Sequence, residues 1–322
     1  MDQERVLGID VGGTGTKLAL VDREGRVGRE RQLATASFVS FEGFVAALVG
    51  ELAELVQREG PVTVRGIGIG APNGNGLAGT IESAPNLPWK GRLPLADSLG
   101  HRSGLPVSVT NDANAAALGE GLYGGAVGLD DFLVVTLGTG LGSGFVCGGE
   151  LLVGATGLAG ELGHVIVEPD GRPCGCGRRG CLETYASATG LVRTVRDLLA
   201  EDDRDSALRA FTPRTIEARD VDEAARDGDA LALEAFAECG RVLGLALANA
   251  VAITSPAAVF LFGGLADAGE RILEPTRKAF EEHLLPVYRG TVQLRLSALL
   301  DRNAAILGAA ALAWRHCDAR PS

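Results

Sequence analysis

Four side chains in one segment of the chain have the types and spacing of a metal site. Between Glu161 and Glu183 lie His164, Cys174, Cys176 and Cys181, spaced H-x9-C-x-C-x4-C. Three thiolates and an imidazole are a standard tetrahedral set for structural zinc. Gly175, Gly177 and Gly180 supply the tight turns that let the sulfurs converge. One disulfide plus a spare thiol fits an odd cluster of cysteines less well, so 164–181 is read as a zinc loop. Four protein ligands close the coordination sphere and leave no position for a catalytic water. The metal would hold the flanking carboxylates Glu161 and Glu183 near each other.

Three glycine-rich corners, each after an apolar run, have the composition of phosphate cradles: Gly12–Thr14, Gly138–Gly144 and Gly263-Gly264. Successive backbone N–H groups at such turns bind anions. There is no G-x-x-x-x-G-K-[ST]. The one G-x-G-x-x-G, at Gly74–Gly79, runs into T-I-E-S-A-P-N-L-P, which cannot open a helix. A P-loop and a dinucleotide fold are therefore excluded. Each corner taken singly reads as a turn. Together they indicate a bipartite nucleotide site, with Gly12, Gly13 and Thr14 on one side and Thr139 and Gly140 on the other. Asp10, ending the first apolar run, either holds Mg²⁺ through water or caps its own turn. Asp112, where a strand meets an Ala-rich helix, reads from its pattern first as a helix N-cap. The alternative is a general base facing an alcohol, because open α/β folds place ligands at the carboxyl ends of strands.

The elements that must position these groups fall into two rounds. The first opens with a meander of strands at Val6–Asp10, Lys17–Asp22 and Val27–Thr35. A helix at Phe41–Arg58, a strand at Val64–Gly70 and a loop over 71–80 follow. A short helix at Pro94–Ser103, a strand at Val107–Thr110 and a helix at Asn111–Leu122 complete the round. The second round opens with a strand at Phe132–Leu137, a glycine turn at Gly138–Gly144 and a returning strand at Phe145–Cys147. The shared order of strand, glycine hairpin and strand is a weak internal repeat, which suggests two like-built halves facing a cleft. Helices are expected at Leu182–Leu199, Val221–Arg226 and Asp229–Ile253. After them come a strand at Ala258–Phe262, a helix ending at Leu284, a strand at Val292–Ser297 and a closing helix at Ala304–His316.

Composition narrows the partners. A net charge of −11, from 30 basic and 41 acidic residues, argues against nucleic acid or an anionic membrane. The N-terminal residues lack the basic and apolar regions of a signal peptide, and six cysteines suit a reducing cytoplasm. Val242–Phe262 carries no charge, but Pro256 splits it into a buried helix and a short strand. The charge-poor helix 231–253 suggests a buried surface, and a homodimer or homotetramer is expected.

Six motifs carry a resemblance across nearly the whole chain: D-V-G-G-T-G-T-K at Asp10–Lys17, A-P-N-L-P-W at Ala84–Trp89, N-D-A-N-A-A-A-L-G-E at Asn111–Glu120, T-L-G-T-G-L-G-S-G at Thr136–Gly144, E-L-G-H at Glu161–His164, and C-G-C-G-R-R-G-C-L-E-T-Y-A-S at Cys174–Ser187. The chain resembles the sugar kinases of the ROK family (repressor, open reading frame, kinase), and among them the bacterial ATP-dependent glucokinases. The resemblance implies a two-domain α/β fold of the actin/hexokinase-like (ribonuclease H-like) type with a central cleft. It places one domain at 1–111 plus 303–322 and the other at 112–302, the latter carrying the zinc loop. It implies that Asp112 takes the proton from a hexose 6-hydroxyl as that oxygen attacks the γ-phosphorus of MgATP. Asn86, Asn111, Glu161, His164 and Glu183 would hydrogen-bond the sugar. Gly12–Thr14 and Thr139–Gly140 would lie on the phosphates, and Gly263-Gly264 beside the adenosine. Two departures stand out. Gly15 follows G-G-T where many relatives have Lys, so Lys17 is not carried over as a phosphate contact, and the 71–80 loop differs from shorter forms. An N-acetylhexosamine or mannose kinase is the near alternative. A sugar-responsive repressor is the distant one, and a first core strand at about Val6 leaves it no room for a DNA-binding domain ahead of the kinase-like part.

Overall fold

The computed structural model of the chain describes residues 3–212, 214–300 and 303–319. The first half opens with the antiparallel strands β1 (Gln3–Val11), β2 (Thr16–Val21) and β3 (Arg31–Leu33), then α1 (Phe41–Glu59) and β4 (Val62–Gly70). Three short strands, β5 (Gly74–Asn75), β6 (Thr80–Glu82) and β7 (Arg92–Leu93), form a separate antiparallel sheet. Next come α2 (Leu95–Ser103), β8 (Val107–Thr110) and α3 (Asp112–Tyr123). The second half contains β9 (Phe132–Leu137), β10 (Leu141–Cys147), β11 (Glu150–Leu151), α4 (Ala188–Glu201), α5 (Ala218–Arg226) and α6 (Ala230–Thr254). It ends with β12 (Ala258–Phe262), α7 (Glu270–His283), β13 (Gln293–Leu296) and α8 (Ala304–Ala319).

The two main sheets have one topology: β3-β2-β1-β4-β8 and β11-β10-β9-β12-β13. In each, a three-stranded antiparallel meander is followed by two strands parallel to its first. This is the α/β architecture expected from the repeated strand, hairpin and strand. Alternating burial explains the layers. Phe44, Val45, Leu48, Leu52 and Leu55 give α1 one apolar stripe that covers the first sheet. Helix α6 is apolar around most of its circumference because it lies inside the second half's core, packed against α4 and α7. It is also the one described helix long and apolar enough to cross a membrane. Helix α8, last in the chain, returns to the first sheet, where Ile306, Leu307, Ala310 and Trp314 pack with Val6, Ala19 and Val21.

Several elements differ from expectation. The third strand is paired only at Arg31–Leu33, with an isolated bridge from Val27 to Val21. The 71–80 segment, expected as loop, contributes β5 and reaches β6. The glycine run Gly138–Gly144 is a turn only to Gly140; β10 begins at Leu141 and pairs with β9 over its length. Its glycines face α3, where a Cβ on Gly144 would lie 2.7 Å from the Ala117 methyl. The helix expected over 182–199 is broken. A 3₁₀ turn at Leu182–Thr184 precedes Ser187, whose hydroxyl accepts from the Gly190 N–H and starts α4. The expected domain limits at 1, 302 and 322 lie outside the described residues.

Candidate active site

The carboxyl ends of β1, β4 and β8 converge on one side of a cleft. Asp10 of β1 pairs with Gly70 of β4, and Gly70 pairs with Thr110 of β8, two residues before Asp112. The cap at the start of α3 is Asn111: its Oδ1 accepts the Asn114 N–H at 2.6 Å. This corrects the pattern-based reading of Asp112 as the cap. Asp112 is the first helical residue, lines the cleft, and accepts its neighbour Ala113's N–H on its carboxylate at 2.9 Å.

The cleft has a volume of about 800 Å³. Asn73, Glu82, Ser83, Asn86, Asn111 and Asp112 line it from the first half, and Thr139, Gly140, Ser143, Gly160, Glu161, Glu183 and Gly263 from the second. Packing explains why Asn86 points outward. In A-P-N-L-P-W, Ala84, Leu87 and Trp89 are buried, Trp89 lies against Phe41 and Phe44, and its Nε1 donates to the Phe38 carbonyl at 3.1 Å. Glu161 is pinned from behind, because the Ser143 hydroxyl donates to the Gly160 carbonyl and accepts the Leu162 N–H. Glu183 Oε2 accepts the Leu141 N–H at 3.2 Å. A Cβ on Gly140 would lie 2.3 Å from that oxygen, so only glycine admits the carboxylate here.

Electrostatics mark the same place. Burial, then the Asp112 charge, push the Asp10 carboxyl up from 3.8 to about 6, against an opposing pull from Lys17. Water reaches Asp112 from the cleft, yet the surrounding protein desolvates its carboxyl enough to raise it too, although two backbone hydrogen bonds favour the anion. Lys17 itself pairs with Glu30 at 3.5 Å.

His164, Cys174, Cys176 and Cys181 are brought together, with their ligand atoms all within 4.8 Å of one another. The Cys176–Cys181 sulfurs are 3.6 Å apart, and Cys174 Sγ is 3.7 Å from His164 Nδ1. Tetrahedral zinc with Zn–S near 2.3 Å requires edges of about 3.7 Å, so the donors fit that ion. The backbone N–H and guanidinium of Arg178 pull the Cys176 thiol down to about 6, whereas burial pushes Cys174 up to about 12 and raises Cys181. Glu183 Oε1 lies 3.6 Å from Cys174, which joins this cluster to the cleft wall. His164 belongs to the cluster and is not among the residues lining the cleft.

A second cavity of about 430 Å³ shares Gly138 and Thr139 with the cleft and is lined further by Gly264, Leu265 and Asp267, with Arg219 and Asp222 from α5. Gly12, Gly13 and Thr14 form the β1–β2 corner next to Asp10, closed by the Gly12 N–H to the Gly15 carbonyl at 3.0 Å. They line neither cavity. Sequence reasoning pointed to the 71–80 loop as a border of the sugar without naming Asn73, and it missed Glu82, Ser83 and the α5 residues. The signal for the first three was the polar, glycine-rich segment around G-N-G-L-A-G; Asn73 before it and Ser83 after it both adopt left-handed backbone, at φ 53° and 48°.

The sequence signature of the ROK family matches residues 6–316. A glucokinase of Streptomyces coelicolor is 38% identical over 314 residues, which cover 95% of this chain and 96% of that protein. A xylose repressor of Caldicellulosiruptor bescii is 30% identical over 318 residues, 97% of this chain and 78% of the repressor. The crystal structure of a ROK family glucokinase from Streptomyces griseus in complex with glucose and AMPPNP is 39% identical. It covers 97% of this chain and 99% of that one, with a TM-score of 0.79.

Proposed function

This chain belongs to the ROK family, and on that premise we propose that it is a sugar kinase, transferring the γ-phosphoryl group of ATP to the 6-hydroxyl of a hexose, glucose first. The observation that carries this reading is Asp112: a carboxylate relieved of capping duty by Asn111, lining a polar cleft that shares Gly138 and Thr139 with a second cavity. Glucokinases are similar to it along almost its full length.

In the reaction, Asp112 accepts the proton of the sugar hydroxyl as its oxygen bonds to the γ-phosphorus and the bond to the β,γ-bridging oxygen of ATP breaks. ADP leaves, and the proton passes from Asp112 to solvent. A desolvated carboxyl with a raised pKa is a stronger base than an ordinary one. Asn86, the Asn111 amide nitrogen, Glu161 and Glu183 orient the sugar hydroxyls. His164, on the zinc loop beside Glu183, is assigned to the same sugar contacts. Gly12–Thr14 and Thr139–Gly140 lie along the phosphates, and Gly263-Gly264 beside the nucleoside. Mg²⁺, held through water by Asp10, would neutralise phosphate charge as it transfers. Zinc on His164, Cys174, Cys176 and Cys181 would brace the loop that presents Glu161 and Glu183. Cytoplasmic placement and a homodimer or homotetramer belong to the same reading.

Incubating the protein with ATP, Mg²⁺ and a panel of hexoses, with the product's phosphate position assigned by NMR, tests it. Glucose 6-phosphate is expected. A preference for N-acetylhexosamines or mannose would move the substrate within the class, and turnover of no hexose would overturn the assignment.

A further inference from the structure

One buried side chain bridges the two halves beside the cleft. Asn75 of β5 is 4% exposed and uses both ends of its amide. Its Oδ1 accepts the N–H groups of Leu77 (3.1 Å) and Ala78 (3.2 Å). Its Nδ2 donates to Glu82 Oε1 on β6 (3.2 Å) and to the Thr156 carbonyl in the second half (2.9 Å). Each acceptor and donor has a partner of the right kind, so the amide's orientation is fixed by the network. The approach is close: Gly157 has φ +79°, and a Cβ there would lie 2.2 Å from Asn75 Oδ1.

What this bridge joins matters for the site. On one side, the small sheet of β5, β6 and β7 leads through Glu82 and Ser83 to Asn86. On the other, 156 leads through Leu158 and Gly160 to Glu161. Gly74 and Leu158 line the cleft, whereas Gly76, Leu77 and Val153 line a separate cavity of about 620 Å³ between β8, the β10–β11 hairpin and α8. On both walls the bridging residues fall between those that face the cleft and those that face this cavity.

We propose that Asn75 is a positioning and specificity-determining residue: its buried amide ties the wall carrying Asn86 to the wall carrying Glu161 and seals the sugar end of the cleft from the neighbouring cavity. This rests on the sugar kinase reading above. Losing a buried amide that serves four partners loosens the geometry of hydroxyl contacts on both walls and leaves the phosphate corners untouched.

The test is steady-state kinetics of the full-length protein and of Asn75→Ala, Gly157→Ala and the double variant, varying glucose and ATP separately, with thermal melts to establish that each is folded. Asn75→Ala is expected to raise KM for glucose about tenfold or more, with KM for ATP within about twofold. Gly157→Ala, which pushes the walls apart without removing the amide, is expected to do the same, and the double variant to be no worse than the worse single one. Unchanged glucose KM in a folded Asn75→Ala protein would overturn the proposal. So would equal rises for both substrates, or single effects that multiply in the double variant. A wild-type protein inactive on every hexose would overturn the sugar kinase reading and this inference with it, whereas an active wild type with insensitive variants overturns this inference alone.

Discussion

Asp10 and Asp112 stand at neighbouring strand ends, one glycine between them: Gly70 pairs with Asp10 on one side and with Thr110, two residues before Asp112, on the other. The Asp112 charge is the second cause, after burial, of the rise of Asp10 to about 6. Two carboxylates held this close are unfavourable for the empty fold and suited to a site that receives a cation.

That arrangement sets a pH dependence. The folded pKa of Asp10 lies above its ordinary 3.8, so the folded chain holds a proton that the unfolded chain has released. Its contribution to stability is fully present below about pH 4 and is lost as pH rises through about 6, a difference of up to about 3 kcal/mol. Asp10→Asn removes that loss. In urea titrations with EDTA, the variant is expected to be more stable than wild type at pH 7.5, with the gap closing toward pH 4, while phosphorylation activity falls. An equal gap at both pH values would exclude this origin.

Asp112→Asn keeps the shape of the side chain and removes the base. Turnover is expected to fall by about three orders of magnitude or more, with sugar binding by calorimetry close to wild type. A near-normal rate would take Asp112 out of the chemistry.

Cys176→Ala removes one donor of the four-ligand cluster. Bound zinc measured by atomic absorption is expected to be lost, the melting temperature to fall by about 5 °C, and KM for the sugar to rise more than KM for ATP. A zinc-free variant with full activity would separate the cluster from the cleft.

Glu120 anchors the far end of the helix that starts at Asp112. Its carboxylate is 1% exposed and accepts from the Gly125 N–H (2.7 Å), the Ala298 N–H (3.0 Å) and the Ser297 hydroxyl. Glu120→Ala leaves three donors without their acceptor and is expected to cost about 3 kcal/mol in chemical denaturation. A loss below about 1 kcal/mol would mean that water replaces the carboxylate.

The sequence by itself determined the chemistry-bearing segments: the His164–Cys181 spacing, the glycine corners, the Asn111-Asp112 junction and the doubled order of strands were all legible, because local spacing and turn chemistry are written in neighbouring residues. It also determined where α6 ends and β12 begins, since Pro256 cannot continue a helix. Which of Asn111 and Asp112 caps α3 was decided only by the backbone at that junction. That Gly142 and Gly144 form a strand face under α3 rather than a turn depended on how closely a distant helix approaches. The break after Leu182, which sets Glu183 against Leu141, and the Asn75–Thr156 bridge join residues 42 and 81 positions apart. Contacts of that kind leave no periodic or compositional trace in either segment, and they exist only once distant segments have packed.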